Sequence, residues 1–348
     1  MKAEPITIRD TDLLAQLEDA KGSPGYSLLR ESLMRTQAER DESAQLTPVK
    51  KRRATRRKEV ISKDLRDEDR HHIHSVLALC GLPYRNPGND VRDYVREYGN
   101  NSLAVQSGYL KDPESGRMIA QGLPYGPKAR LLMLHLCTMA VRQRSATIEI
   151  ADSMSAFIRQ LGFAVTGGQR GTVRQFKEQL NRLAASRMQI GLWKDQHSTT
   201  LNAQPIRSFD IWLPNDPDQK LLWNSTLTLD REFYESLRRH ALPVDIRLVR
   251  AFTQSAKQID LLLWLGYRLR SVKRRYPISW SAVKEQFGKD VGSMRKFKQT
   301  FSADLKAIAE VYPKLPVVLT EDGIVLSPCD AESLFVPSKR KLGGNPKR

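Results

Sequence analysis

The sequence predicts an α+β chain, mainly helical, in which one small unit occurs twice. Three observations carry that prediction. The first is an internal repeat. Thr172-Val-Arg-Gln-Phe-Lys-Glu-Gln-Leu180 lines up with Ser293-Met-Arg-Lys-Phe-Lys-Gln-Thr-Phe301. Upstream, Arg130-Leu-Leu-Met-Leu-His-Leu136 echoes Asp260-Leu-Leu-Leu-Trp-Leu265. Between them, Ser153-Met-Ser-Ala-Phe-Ile-Arg-Gln-Leu-Gly162 echoes Ser279-Trp-Ser-Ala-Val-Lys-Glu-Gln-Phe-Gly288. Three matching strings in one order argue for a duplicated domain, and two copies are too few for a solenoid. The second observation is apolar spacing of three to four residues in each string, the period of an amphipathic helix. The third is a pair of short apolar runs closing each copy. In the second copy they flank Asp322-Gly323, a strong hairpin signal.

Taken in order, each copy opens with a long apolar helix, at about 127–143 and 254–272. A shorter one follows at 153–161 and 279–287. Gly162 and Gly288 stand where a helix end favours a left-handed residue. A second amphipathic helix is expected at about 169–185 and 293–311. Strands are expected at 188–193 and 206–213 in the first copy, and at 316–320 and 324–326 in the second. Helix, helix, turn, helix and hairpin make a winged helix, a variant of helix-turn-helix. Ahead of the first copy, residues 103–110, the turn Asp112-Pro-Glu-Ser-Gly116 and residues 118–121 read as a β-hairpin.

Up to residue 63 the chain reads as a weakly structured, basic arm. Leu13, Leu14, Leu17 and Leu28, Leu29, Leu33 hint at two short helices, separated by the breaker Lys21-Gly-Ser-Pro-Gly25. The organisation expected is therefore a disordered arm at 1–63, a first winged-helix domain at 64–240 and a second at 241–330. A basic tail covers 331–348.

Charge narrows the function classes. The 348 residues carry 57 Lys and Arg against 39 Asp and Glu, a net +18. Residues 1–49 sum to −3, 50–58 to +7, 59–123 to −2, 124–244 to +6 and 245–348 to +10. Segregated positive charge suits a phosphate backbone as partner. Met1-Lys-Ala-Glu-Pro-Ile-Thr7 lacks an apolar signal core. The longest apolar stretch, 129–141, is broken by His135 and Thr138 and falls short of the ~20 residues that span a bilayer. Cys80, Cys137 and Cys329 are odd in number and far apart, which suits a reducing cytoplasm without disulfides or a zinc site. No membrane role is expected.

Candidate DNA contacts follow from the helix faces. In the helix at 293–311, Met294, Phe297, Phe301, Leu305 and Ile308 form the inward side. Arg295, Gln299, Ser302 and Lys306 lie opposite, with Lys296 and Lys298 alongside, and Glu310 is the acid near the end. Arg and Gln suit base edges, Lys and Ser phosphates. The bland alternative is an ordinary charged surface helix. In the first copy Arg174, Gln175, Glu178 and Arg182 face outward, with Arg170 and Lys177 nearby. An acid amid that face leaves DNA contact and a protein–protein role open. Arg268, Arg270, Lys273, Arg274 and Arg275 suit backbone phosphates, or simply a helix C-terminus. Lys50-Lys51-Arg52-Arg53, opening a run of seven cations in nine residues, suits a nonspecific grip or a solubilising linker. In a eukaryotic chain that run would also read as a nuclear-import signal.

Enzyme signatures are absent or weak. No phosphate-cradling P-loop occurs, because Gly167-Gly-Gln-Arg-Gly-Thr172 lacks its lysine. No catalytic residues, metal or cofactor are expected. His71-His-Ile-His74 mimics the metal motif of rolling-circle nickases. It reads here as helix, where His72 and His74 diverge by ~200°, leaving His71 and His74 as surface or helix-start residues.

Several spaced strings resemble the RepA-type plasmid replication initiators of Gram-negative bacteria, the theta-replicating, iteron-binding group. They are Gly122-Leu-Pro-Tyr-Gly-Pro-Lys-Ala-Arg-Leu-Leu132, Ile148-Glu-Ile-Ala151 and Gly167-Gly-Gln-Arg-Gly-Thr172. Leu82-Pro-Tyr-Arg85 and Leu110-Lys-Asp-Pro-Glu-Ser-Gly116 agree. The resemblance runs from about 81 to 329 and leaves residues 1–60 uncovered. It implies binding of double-stranded plasmid origin DNA at direct repeats (iterons), opening of AT-rich DNA and copy control. The partners it implies are the host replicative helicase and initiator, and a second copy of the chain in a monomer–dimer balance. The location it implies is the cytoplasm, on the plasmid or nucleoid. The competing readings are a transcriptional regulator on a palindromic operator and, remotely, a rolling-circle nickase.

Overall fold

The computed structural model describes residues 7–62, 65–112, 115–149, 158–159, 162–168, 171–194, 197–210 and 226–329. The chain divides into two units, Met1–Lys58 and Glu59–Arg348, and the division falls within a helix.

The first unit is helical where the sequence suggested a weakly structured arm. Helix α1 (Thr11–Asp19) packs on α2 (Tyr26–Gln45), and α3 (Pro48–Ser62) begins after a short break. Leu13 and Leu33 are buried. So is Gln37, whose side-chain oxygen accepts from Arg9 N (3.1 Å) and Asp10 N (3.0 Å) and whose amide donates to Asp10 and Asp41. Arg40 bridges Asp10 and Asp12 at 2.7 Å each. Such exposed pairs add little individually, and the buried leucines with Gln37 account for the packing. Helix α3 starts at Thr47-Pro48. The Thr47 carbonyl accepts from Lys51 N, and Pro is preorganised for a first helical position. The cationic run at 50–58 therefore lies along a helix.

In the second unit a single 3-10 turn leads into β1 (Arg70–His74) and α4 (Ser75–Leu79). Strands β2 (Asp93–Tyr98), β3 (Asn101–Gln106), β4 (Tyr109–Lys111) and β5 (Met118–Ala120) follow, then α5 (Gly126–Gln143) and β6 (Thr147–Glu149). After α6 (Thr172–Ala185) come β7 (Arg187–Lys194), β8 (His197–Ala203), β9 (Ile206–Asp210) and β10 (Thr226–Leu229). The chain continues through α7 (Arg231–His240), β11 (Ala241–Asp245), α8 (Ile246–Arg250), α9 (Ala256–Leu269) and β12 (Tyr276–Ser279). It closes with α10 (Trp280–Phe287), α11 (Met294–Val311), β13 (Val317–Leu319) and β14 (Gly323–Leu326).

The repeat is visible in the topology. Sheet β6-β10-β9 and sheet β12-β14-β13 share one strand order, in which the first strand of the copy pairs with the last. Helices α5 and α9 open the two copies, and α6 and α11 precede their closing strands. A strand and a five-residue helix stand before each copy, β1-α4 and β11-α8. The Nδ1 of His74 accepts from Val76 N, and Asp245 Oδ1 accepts from Arg247 N, so both short helices are capped two residues in. Strands β1 and β11 pair antiparallel about His72↔Pro243, which gives the preludes a local two-fold relation. Arg130 and Asp260, equivalent positions of the repeat, pair with each other in the buried space between α5 and α9 (Nε···Oδ1 2.5 Å, Nη2···Oδ2 2.7 Å).

Several expectations are corrected. Residues 188–193 do not form the closing hairpin of the first copy. They belong to β7, in the separate sheet β2-β3-β7-β8, and the closing pair is β9-β10. Residues 103–110 break at Ser107-Gly108, because Gly108 lies against the Ala185 carbonyl with no room for a Cβ. Strand β3 then pairs with β2 and β7, while β4 and β5 form the hairpin. The segment at 70–74 is a strand, not helix, because it finds β11 some 170 residues away. His71 and His74 are buried on it rather than at the surface. Gly162 is left-handed (φ +84°) as expected, but Gly288 (φ −131°) is not. Gly288 is required for space, since a Cβ there would strike Phe297. Of the first copy's short helix, 153–161, only residues 158–159 are described. The expected tail at 331–348 lies outside the described residues.

Candidate nucleic-acid interface

Helix α11 is held by an aromatic stack. Phe297 and Phe301 lie against Trp280, 6.4 and 6.0 Å between ring centres, and Phe287 joins Phe301 to Trp264. Phe297, Phe301, Leu305 and Ile308 are buried as the spacing predicts. Met294 is 36% exposed instead, because it sits in the first turn, one turn short of the aromatic stack. The Ser293 hydroxyl caps the helix by accepting from Lys296 N.

The opposite side of α11 carries Arg295, Lys296, Gln299 and Lys306, all exposed, with Ser302 half-buried between them. Lys298 differs from its neighbours. Its ammonium lies 5.5 Å over the Trp280 ring and donates to the Glu321 carbonyl at 3.4 Å. Trp280 Nε1 donates to the same carbonyl at 2.9 Å. Lys298 thus ties the hairpin tip to α11. The tip itself bears Glu321 and Asp322, so the cationic surface is on the helix. Gly323 lies too close to Ile278 for any side chain.

In the first copy Arg174 is exposed and Lys177 half-buried, and Arg170 lies outside the described residues. Arg182 is corrected: it is buried, not outward. The segment 82–89 and Tyr125 cover that side of α6. Arg182 donates to the Leu123 carbonyl at 3.0 Å, pairs with Glu178 at 2.8 Å and lies 5.0 Å over the Tyr125 ring. Gly122 leaves the room it occupies. The string at 122–132 is scaffold on the same grounds. Gly126 is left-handed (φ +74°), Pro127 falls in the first turn of α5, and Arg130 reaches Asp260.

Arg270, Lys273, Arg274 and Arg275 are exposed between α9 and β12. Arg268 lies 5.2 Å over the Tyr276 ring. On α3, Lys50, Lys51 and Arg52 are exposed and Arg53 is half-buried. The sequence reading did not single out Ser279, Ser281 or Lys289, which are exposed around α10. Ser279 caps that helix and shares a hydrogen bond with Ser281 at 2.8 Å. Ser-Trp-Ser ahead of an amphipathic run was the available signal.

The histidine motif lies on β1. Both ring nitrogens of His74 are engaged, Nδ1 by Val76 N and Nε2 by the Ser236 hydroxyl at 3.0 Å. Burial lowers the pKa of His71 to about 3, of His72 to about 4 and of His74 to about 3, with cations such as Arg142 adding to the shift of His71 and His72. No group of three or more metal-ligating side chains occurs among the described residues, and no described helix is long and apolar enough to cross a membrane.

Comparison with known proteins gives one family. No curated protein matches the chain. Two crystal structures of RctB are similar, one of domains 2–3 and one of selenomethionine derivatives of domains 2 and 3. They share 10% and 9% identity, with TM-scores of 0.45 and 0.44. They cover 75% and 74% of this chain and 99% of theirs. Residues 123–282, from the approach to α5 into the first turn of α10, match the family described as plasmid encoded RepA protein, which is the family the sequence resembles.

Proposed function

We propose that the protein is a plasmid replication initiator that binds origin DNA through two tandem winged helices, with α11 as the main reading element. The observation that carries this is the surface of α11. Arg295, Lys296, Gln299 and Lys306 project from a helix whose inner face is locked by aromatic packing; of its acids, half-buried Asp304 accepts from the Gln258 amide and Glu310 stands one turn beyond Lys306. A rigid helix with cationic and amide side chains suits a major groove. The order helix, strand, helix, helix, strand, strand of α9, β12, α10, α11, β13 and β14 supports the winged-helix reading. The RepA family match supports the initiator role and ends before α11. Binding to direct repeats, opening of adjacent DNA, recruitment of a host helicase and initiator, and self-association all belong to this proposal. So do a location on the plasmid in the cytoplasm and a function without a catalytic step.

Footprinting on a few hundred base pairs flanking the protein's own gene, over a salt series, tests it. Protection repeating in phase along direct repeats is the expected result. A single protected palindrome would point to an operator-binding regulator instead. Cleavage of supercoiled plasmid with Mg²⁺ would point to a nickase.

A further inference from the structure

We infer that the turn between α9 and β12 is a second phosphate-binding site, separate from α11, that holds duplex DNA flanking the sequence α11 reads. This rests on the proposed function and adds a location and a length requirement to it.

Five cations fall within eight residues: Arg268, Arg270, Lys273, Arg274 and Arg275. Arg270, Lys273, Arg274 and Arg275 are exposed, and none of the five forms an ion pair among the described residues. A helix C-terminus carries about half an elementary negative charge. That would favour one cation and leaves the others unaccounted for.

The duplicated scaffold supplies an internal control. The corresponding turn after α5 folds with two arginines, Arg142 and Arg144. Arg142 is used internally, donating to the Asp67, Glu68 and Arg70 carbonyls at 2.9–3.1 Å. Arg144 supplies the left-handed cap at φ +53°. The second turn closes differently: Ser271 and Val272 N–H groups donate to the Arg268 and Leu269 carbonyls. Arg270, Lys273, Arg274 and Arg275 are thus surplus to the fold.

Position separates this site from α11. Strand β12 runs from Tyr276, paired with Leu326, to Ser279, paired with Gly323. The Ser279 end meets the hairpin tip, where Lys298 of α11 is fastened. The cationic turn lies at the other end, about 10 Å away along the strand. Arg268 braces that end by stacking on Trp264 and Tyr276 (5.8 and 5.2 Å). Exposed guanidinium and ammonium groups on a braced turn suit phosphodiester oxygens.

The test compares the full-length protein with the variant R270Q/K273Q/R274Q/R275Q. Each is titrated on a duplex trimmed to the α11 footprint and on the same duplex with ~10 base pairs added at each end. The variant is expected to match wild type on the trimmed duplex and to lose tenfold or more on the flanked one. Its salt slope there should fall by about 3–4, at ~0.9 per lost phosphate contact. Equal binding on both duplexes would overturn the inference, as would an equal loss on both. Unchanged DNA binding with lost affinity for anionic lipid vesicles would overturn it in favour of a membrane surface. If wild type itself shows no sequence preference, the proposed function fails, while a flank-dependent loss in the variant would still stand.

Discussion

Arg130 carries a full charge into the interior, and Asp260 is what makes that tolerable. The guanidinium also donates to the Pro83 and Gly126 carbonyls at 3.1 and 2.9 Å, so its donors are met from two helices and a loop. Removing the carboxylate leaves the cation buried and uncompensated, which typically costs about 3–5 kcal/mol. Asp260→Ala should therefore lower stability by that amount in denaturant titration, and R130M/D260L should recover most of it. If D260A unfolds like wild type, the pair does not join the copies. The surface arginines behave oppositely. Arg295 and Gln299 touch nothing that the fold requires, so R295A and Q299A should each weaken specific DNA binding by ~1–3 kcal/mol and leave the melting temperature unchanged. Unchanged binding alongside an effect of R174A would move the reading helix to the first copy. Arg182 shows why residue type alone misleads. It shares the outward spacing of Arg174 but is claimed by Leu123, Glu178 and Tyr125, none of which helical period can reveal.

The helices of the repeat were legible because their signals are local, whereas α3, in a cationic run that read as an arm, was not. Spacing and a serine before the first turn place α10 and α11 to within about two residues, and Gly288 marks the end of α10. Pairing over long distance was not legible. Strands β1 and β11 find each other 171 residues apart, β6 finds β10, and β7 leaves the closing hairpin for β3. Nothing in His-His-Ile-His announces a strand until its partner is known. That pairing has a consequence for acid stability. His71, His74 and, on α5, His135 are held neutral, with His135 lowered to about 4, chiefly by burial. Unfolded histidine titrates near 6.5, so below that pH the unfolded chain binds more protons than the folded one. Stability is therefore full above about 6.5 and falls as the pH drops, toward about 4 for His135 and about 3 for His71 and His74, by at most ~1.4 kcal/mol per pH unit for each buried histidine. Thermal unfolding between pH 7.5 and 5 should show a steep loss. A flat profile would mean that these side chains reach water in the folded state.

At the scale of the whole molecule, exposed cations among the described residues gather on α3, on the turn before β12 and on the outer side of α11. In the core, Arg130 pairs with Asp260 and Arg247 with Asp245, while Arg96 donates to the Gln286 carbonyl. This division predicts two separable kinds of DNA affinity. Cations on α3 contact phosphates without regard to sequence, so their loss should lower binding to specific and competitor DNA alike. Side chains on α11 read bases, so their loss should lower the ratio between the two. Changing Lys50, Lys51, Arg52 and Arg53 to Gln removes four charges, and at ~0.9 per phosphate contact the salt slope should fall by up to about 3–4. The specificity ratio, measured against competitor DNA at fixed salt, should stay within twofold. Deleting residues 1–58 should act in the same direction, removing seven cations together with the net −3 of residues 1–49. Should the Gln variant instead lose specificity while keeping its salt slope, α3 would be a base-reading element. The outer face of α11 would then be the solvated surface of an ordinary amphipathic helix.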